Sequence, residues 1–146
     1  MKKFDSLDLK SLKSLAGDLA SQMRNREVIL LSGDVGAGKT TFVSAFLSSM
    51  GYDLSNSPTF AVINEYDVNG TLIDHVDLYR LKDSEDLEST GFWDLFSKRE
   101  GLILIEWSQR MPGSDWIPNG WTWSEVKLTI SKDNLNTRDV SIRRSK

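Results

Sequence analysis

The stretch ILLSGDVGAGKTTF, residues 29–42, decides the fold. An apolar run ends at a glycine, and a short loop with three glycines then leads into a lysine and two threonines. Gly33, Gly38, Lys39 and Thr40 satisfy the pattern G-x-x-x-x-G-K-[ST] of a phosphate-binding loop between a strand and a helix. Bare glycine backbone lets main-chain N–H groups approach a phosphate, and the start of the helix adds donors and a positive dipole end. We therefore predict a nucleotide site, with Lys39 on the β- and γ-phosphates and the Thr40 hydroxyl on Mg²⁺.

The segments around this loop predict an α/β layered fold, because buried strands alternate with helices along the chain. Residues 27–32 are typical of a buried parallel strand, and residues 39–51 of a helix that stops at Gly51. The other expected elements are an amphipathic helix over 9–23, a hairpin over 60–81 that turns at Asn69-Gly70, short helices over 84–96, a buried strand over 101–107, and half-exposed strands over 124–131 and 138–143.

Composition narrows the class of protein. The chain has 146 residues, of which 39% are apolar and 27% charged, so we expect one globular domain over residues 1–146. A net charge of −3 argues against a broad nucleic-acid surface. The chain has no cysteine and one histidine, which excludes disulfides, thiolate chemistry and multi-histidine metal sites within it. The first ten residues make a poor secretory signal, and no apolar run is long enough for a membrane span, so we expect a cytoplasmic protein without membrane association.

Two acids follow predicted strands, where a second anchor for Mg²⁺ is expected. The run LILIE ends at Glu106, which we interpret as that anchor; the alternative is a strand-end carboxylate that faces water. The segment HVDLYR places Asp77 at another strand end, where it would position the attacking water or support the metal. His75 lies on the same strand face as Asp77, and we interpret it as a half-buried histidine with satisfied hydrogen bonds rather than a catalytic residue.

Threonine and tryptophan side chains add weaker signals. Thr59, in the segment SPTF, would reach Mg²⁺ and the γ-phosphate as a nucleotide-sensing switch, unless the segment is an ordinary turn. Trp107 follows Glu106, and regular strand alternation would point it to the opposite face, so core packing is a serious alternative for it. Three further tryptophans, which either cover the sheet or form a partner surface, are Trp116, Trp121 and Trp123.

Taken together, the segments GDVGAGKTTF, SPTF, HVDLYRL and LIEW resemble the TsaE family (formerly YjeE) in order and separation, over about residues 8–131. This resemblance implies a P-loop NTPase-like three-layer fold, with a central, largely parallel sheet plus antiparallel hairpin strands. It also implies an ATPase that binds ATP with Mg²⁺, hydrolyses it slowly alone, and is required for threonylcarbamoyl modification of the tRNA adenosine beside the anticodon. The implied partners are TsaB and TsaD, with tRNA contacted only through their complex, which ATP hydrolysis resets between turnovers.

The same resemblance assigns residues by position. Lys39, Thr59, Asp77 and Glu106 are implied as residues of the ATPase site, with Thr40 and Glu106 on the metal. The match departs from the family pattern near 113–124, where this chain has additional tryptophans, and it is weak at 136–138, where relatives touch the nucleotide base. The implied phosphate-loop residues are Asp34, Val35, Gly36, Ala37, Gly38, Lys39, Thr40 and Thr41.

Two alternatives share the same loop. A small-molecule P-loop kinase would need an acceptor pocket and an arginine-bearing lid, and the adjacent arginines are limited to Arg143-Arg144 at the tail. A GTPase-like nucleotide switch would use the segment DVNG, residues 67–70, as D-x-x-G, although the hairpin turn explains that segment better. The chain has no N-K-x-D segment to read a guanine base.

Overall fold

The computed structural model describes residues 1–54, 62–80, 84–98, 100–111 and 114–146. The strands are β1 (Lys2–Leu7), β2 (Arg26–Ser32), β3 (Ile63–Val68), β4 (Thr71–Asp77), β5 (Gly101–Glu106), β6 (Thr122–Ile130) and β7 (Arg138–Arg144). The α-helices are α1 (Leu9–Ala20), α2 (Lys39–Ser49) and α3 (Ser84–Ser89). Short 3₁₀ helices lie at Leu78–Arg80, Phe92–Ser97 and Ser108–Arg110.

All seven strands form one sheet, in the order β1-β7-β6-β2-β5-β4-β3. The four central strands, β6, β2, β5 and β4, are parallel neighbours. The outer pairs β3/β4, β6/β7 and β1/β7 are antiparallel. The carboxyl ends of the parallel strands therefore meet at one edge of the sheet, where ligands bind in open α/β folds.

Each face of the sheet is covered by its own apolar cluster, as strand alternation requires. Ile29 and Leu31 of β2 point to the face that α1 and α2 cover, together with Phe42 and Phe46 of α2. Val28 and its alternating neighbours point to the other face. That second cluster includes Leu87, Phe92, Leu95, Phe96 and Trp121. The predicted layered α/β fold, with its largely parallel central sheet and its antiparallel hairpin, is confirmed.

The first strand, β1, is a strand that the sequence analysis did not predict. It pairs with β7 at the edge of the sheet, and its register shifts between Phe4 and Leu7. Ser6 lies in the left-handed backbone region at φ 54°. Most β1 side chains are exposed, so the strand has no regular apolar alternation to reveal it. Among the described residues, no helix is both long and apolar enough to cross a membrane.

Candidate functional site

The predicted phosphate loop forms the connection between β2 and α2, as expected. β2 ends at Ser32 and α2 begins at Lys39, so residues 33–38 form the turn. Gly38 precedes the helix at φ 104°, a conformation that favours glycine. The loop closes on itself through Ala37 N, which donates to Asp34 O at 3.0 Å. The strand–loop–helix context that the motif requires is therefore present.

Gly33 must lack a side chain for a reason that the motif alone did not indicate, namely its close approach to β6. A Cβ at this position would lie 2.5 Å from the main-chain oxygen of Leu128 in β6 and 3.1 Å from Ala37 Cβ. Gly33 also has φ 149°. The first glycine of the motif therefore serves the close approach of the loop to the neighbouring strand.

Lys39 is held almost out of solvent, with 5% of its surface exposed. Its Nζ donates to the main-chain oxygens of Gly33 at 2.5 Å and Asp34 at 2.8 Å. Burial lowers the pKa of Lys39, and the nearby carboxylates of Glu106, Asp34 and Asp77 partly oppose that shift. The loop carbonyls thus hold a cation at the base of a cleft.

The two predicted acids lie side by side at the carboxyl ends of their strands. Asp77 of β4 is in register with Glu106 of β5. Glu106 is 4% exposed, and its Oε1 accepts a hydrogen bond from Thr40 Oγ1 at 2.9 Å. Its Oε2 lies 2.5 Å from Nε2 of His75, so His75 is a buried partner of this acid. Asp77 Oδ1 accepts from the main-chain N–H of Tyr79 at 3.0 Å.

Trp107 corrects the expectation of regular alternation after Glu106. The strand ends at Glu106, and Trp107 takes a left-handed conformation at φ 63°. Its ring lies on the cleft side, with its centroid 4.0 Å from Lys39 Nζ, and it packs at a tilt against the Tyr79 ring, whose centroid is 4.8 Å away. Trp107 therefore lines the cleft beside Glu106 while its other contacts reach the second apolar cluster.

A cleft of about 390 Å³ collects these side chains. Two loop residues expected to bind the nucleotide do not line this cleft: the Ala37 side chain is buried in the core, and Asp34 lines a neighbouring depression. Their main-chain roles in binding stay predictions. Thr59 lies outside the described residues, and its role stays a prediction. The residues that line the cleft are Val35, Gly36, Gly38, Lys39, Thr40, Thr41, Asp77, Tyr79, Glu106, Trp107 and Arg138.

Three side-chain contacts at or beside the cleft were not predicted from the sequence. Arg138, at the start of β7, donates from NH2 to the main-chain oxygen of Gly36 at 3.0 Å. Gln109 Nε2 donates to the main-chain oxygen of Gly33 at 3.0 Å. Tyr79 stands at the rim, with the Arg110 guanidinium 5.6 Å from its ring centroid. Tyr79 was within reach of sequence analysis, since it is part of the HVDLYR segment, whereas nothing local marks Gln109.

The site suits Mg²⁺ by its donor chemistry. Among the described residues, no three side chains of His, Asp or Glu cluster as a self-sufficient metal site. Mg²⁺ prefers oxygen ligands and is commonly held by one or two carboxylates together with substrate phosphates. The Thr40 hydroxyl and the Glu106 carboxylate meet these requirements beside the phosphate loop.

Comparison with known proteins identifies the family to which a chain with this site belongs. Residues 7–140 match the sequence model of a family described as Threonylcarbamoyl adenosine biosynthesis protein TsaE. The chain belongs to the TsaE family. The match spans the phosphate loop, both strand-end acids and Arg138, so the resemblance drawn from four short segments is confirmed across nearly the whole chain.

Individual TsaE relatives support the same assignment. The protein of Haemophilus influenzae named tRNA threonylcarbamoyladenosine biosynthesis protein TsaE is 42% identical in an alignment 121 residues long, which covers 78% of this chain and 76% of the relative. The identically named protein of Nostoc sp. is 38% identical in an alignment 146 residues long, gaps included, which covers 97% of this chain and 86% of the relative. The crystal structure of Bacillus subtilis YdiB superposes with a TM-score of 0.71 at 24% identity, covering 97% of this chain and 83% of that one, and shows the shared fold.

Proposed function

We propose that this TsaE-family protein is a Mg²⁺-dependent ATP-binding and ATP-hydrolysing subunit in threonylcarbamoyl modification of the tRNA adenosine beside the anticodon. It would act in the cytoplasm with TsaB and TsaD, and would reach tRNA only through their complex. The observation that carries the proposal is the convergence of Lys39, Thr40 and Glu106 at a phosphate loop in a chain of this family.

Binding of the triphosphate is assigned to the loop and to Lys39. The free N–H groups at the start of α2 and the positive end of its dipole favour an anion there. Lys39 would exchange its bonds to the Gly33 and Asp34 carbonyls for phosphate oxygens. Since Lys39 is nearly dry, its charge is screened less than that of a surface lysine.

Hydrolysis is assigned to the two strand-end acids. Thr40 and Glu106 would hold Mg²⁺, which supplies electrostatic stabilisation of charge on the phosphates when it is bound. Asp77 lines the same cleft and is oriented by the N–H of Tyr79, which suits a carboxylate that positions the attacking water. Val35 at the tip of the loop is 72% exposed, so a partner that covers the tip would exclude water from the cleft.

The GTPase alternative receives no support from the position of the DVNG segment. Gly70 N donates to Asp67 Oδ1, and Asn69 Nδ2 donates to Met50 O. Met50 caps the end of α2 opposite Lys39, about 16 Å along an 11-residue helix. The segment is thus a hairpin turn that lies away from the phosphate loop.

Calorimetry with ATP and GTP, with and without Mg²⁺, tests the binding half of the proposal. We expect ATP to bind more tightly than GTP, and Lys39→Ala to weaken ATP binding by about tenfold or more, because a charge-assisted bond contributes roughly 1.5–3 kcal/mol. Lys13→Ala is the matched control, since Lys13 is an exposed lysine of α1. Equal ATP affinity in Lys39→Ala and the wild type, or tighter binding of GTP, would contradict the assignment.

Reconstitution tests the partner half. We expect slow ATP hydrolysis by the isolated chain, faster hydrolysis with TsaB and TsaD, and multiple-turnover tRNA modification that needs all three proteins. Hydrolysis by the isolated chain at the rate of the complete mixture would count against partner dependence. Rapid phosphorylation of a metabolite in place of water would instead favour the kinase alternative.

A further inference from the structure

We propose that His75 is a positioning residue that orients the metal-site glutamate, Glu106, through its Nε2–H group. This inference rests on the proposed function, and it adds a role that neither the phosphate-loop motif nor the strand-end acids specify. The sequence analysis interpreted His75 as a half-buried histidine with satisfied hydrogen bonds rather than a catalytic residue, and a positioning role goes beyond that interpretation.

The contact itself is short and buried. His75 Nε2 lies 2.5 Å from Glu106 Oε2, and the two side chains are 11% and 6% exposed. A carboxylate accepts hydrogen bonds, so Nε2 donates and carries the proton. Among the described residues, Nδ1 of His75 has no hydrogen-bond partner, although its atom is buried. The contact to Glu106 therefore selects the Nε2–H tautomer.

The strand register explains why these two side chains meet. His75 of β4 pairs with Leu104 of β5, two residues before Glu106, so both side chains project from the face that α2 covers. The Tyr66 ring of β3 also lies beside the imidazole, tilted to it, with the two ring centroids 6.5 Å apart. The ring cannot easily turn away from Glu106 in such a packed position.

The two oxygens of Glu106 are thereby given separate tasks. Oε2 accepts from His75, and Oε1 accepts from Thr40 Oγ1, the hydroxyl assigned to Mg²⁺. A line of hydrogen bonds thus runs from β4 through Glu106 to the first turn of α2. Without His75, Oε2 would lose its partner and Thr40 alone would hold the Glu106 carboxylate, so more of its order would have to be supplied at the moment of metal binding.

This arrangement predicts a specific sensitivity to Mg²⁺. Outer hydrogen-bond partners of metal ligands typically contribute about 10–100-fold in metal affinity or activity. We expect His75→Leu, which keeps bulk but removes the donor, to raise the Mg²⁺ concentration that half-saturates ATP-analogue binding by about tenfold. His75→Gln, which restores an N–H donor at similar reach, should recover most of that loss.

The test combines binding and spectroscopy. Binding of a non-hydrolysable ATP analogue is titrated with Mg²⁺ by calorimetry for the wild type, His75→Leu, His75→Gln and the control Ile73→Val. Ile73 lies on the same face of the same strand and is fully buried, so its variant reports a mild core change alone. Thermal unfolding of each variant checks that it is folded.

Because His75 is the single histidine in the chain, ¹⁵N-histidine labelling gives an imidazole spectrum with one source. We expect the Nε2–H tautomer in the nucleotide-free wild type and a changed Nε2 signal in Glu106→Gln. An Nδ1–H tautomer, or a folded His75→Leu protein with the wild-type Mg²⁺ dependence, would overturn the role of His75 alone. A wild type that binds no nucleotide would overturn the proposed function itself, and this inference with it.

Discussion

At the scale of single residues, Gly33 and Gly36 show that glycines of one loop are required for different physical reasons. A side chain at Gly33 would collide with the main chain of Leu128 in β6. Gly36 has φ 82°, but no atom lies within 4 Å of the place where its Cβ would stand. A side chain at Gly33 is therefore excluded by contact with the sheet, whereas a side chain at Gly36 is disfavoured by the backbone conformation.

We therefore predict unequal losses of stability when each becomes alanine. Gly33→Ala should lower the free energy of unfolding by about 3 kcal/mol, since β6 or the loop must shift to admit the methyl group. Gly36→Ala should cost about 1–2 kcal/mol, the usual penalty of a left-handed backbone for a residue with a Cβ. Urea unfolding at neutral pH measures both values. Equal losses would show that the approach of Leu128 to Gly33 is not tight in solution.

At the scale of elements, local sequence patterns predicted the turns, helices and strands that are determined by residues close in sequence. The glycine-bearing loop between strand and helix, the Asn69-Gly70 hairpin turn, and the buried strand that ends at Glu106 all follow from residues close in sequence. β1 was missed because its exposed side chains carry no alternation and its partner β7 lies at the other end of the chain. The cleft contact between Arg138 and Gly36 joins residues 102 positions apart, beyond any local pattern.

The tryptophans after β5 also depend on contacts that a local pattern does not reveal. The sequence analysis left two interpretations open for them: they cover the sheet, or they form a partner surface. Trp121 is 7% exposed, and its indole Nε1 donates to the main-chain oxygen of Phe96 at 3.0 Å. Its ring meets the Phe96 ring edge-on at 5.4 Å, and Trp116 packs on Phe92 and Phe96. The structure thus places both side chains over the second face of the sheet.

Trp121→Ala should consequently lower the free energy of unfolding by about 3–5 kcal/mol, the range for large aromatic truncations in a core. Trp93→Ala is the matched control, because Trp93 belongs to the same aromatic group but is 41% exposed. The decrease in the free energy of unfolding should be less than half as large for Trp93→Ala as for Trp121→Ala. Denaturant unfolding followed by far-ultraviolet circular dichroism separates the two, and a Trp121→Ala protein of wild-type stability would return Trp121 to the partner-surface interpretation.

At the scale of the whole molecule, the two ends of the parallel strands carry different polar groups. The carboxyl ends hold the cleft, whereas the amino end of β2 holds a buried ion cluster around Glu27, which is fully buried. Glu27 accepts from Arg24 Nε and Ser124 Oγ, both at 2.6 Å, and from Arg144 NH2 at 3.2 Å. This cluster joins the start of β2 to β6 and to the end of β7, so it closes the sheet on the side away from the cleft.

The Glu27 cluster should make the stability of the whole fold depend on pH. Burial acts to raise the pKa of Glu27, but hydrogen bonds from Ser124 and Arg24 and the charges of Arg144 and Arg24 outweigh it, so the pKa falls below its ordinary value of 4.5. A lowered folded-state pKa stabilises the fold fully above 4.5, and that contribution is lost as pH falls through the folded-state value. Glu27→Gln should therefore lower the free energy of unfolding by about 2 kcal/mol at pH 7, because it leaves the half-buried guanidinium groups of Arg24 and Arg144 without their counterion. In urea unfolding from pH 7 to pH 3, the gap between wild type and Glu27→Gln should narrow on the acid side, whereas Glu88→Gln, at an exposed position of α3, should stay near the wild type throughout. A gap that is constant with pH would show that the carboxylate charge of Glu27 does not hold this end of the sheet.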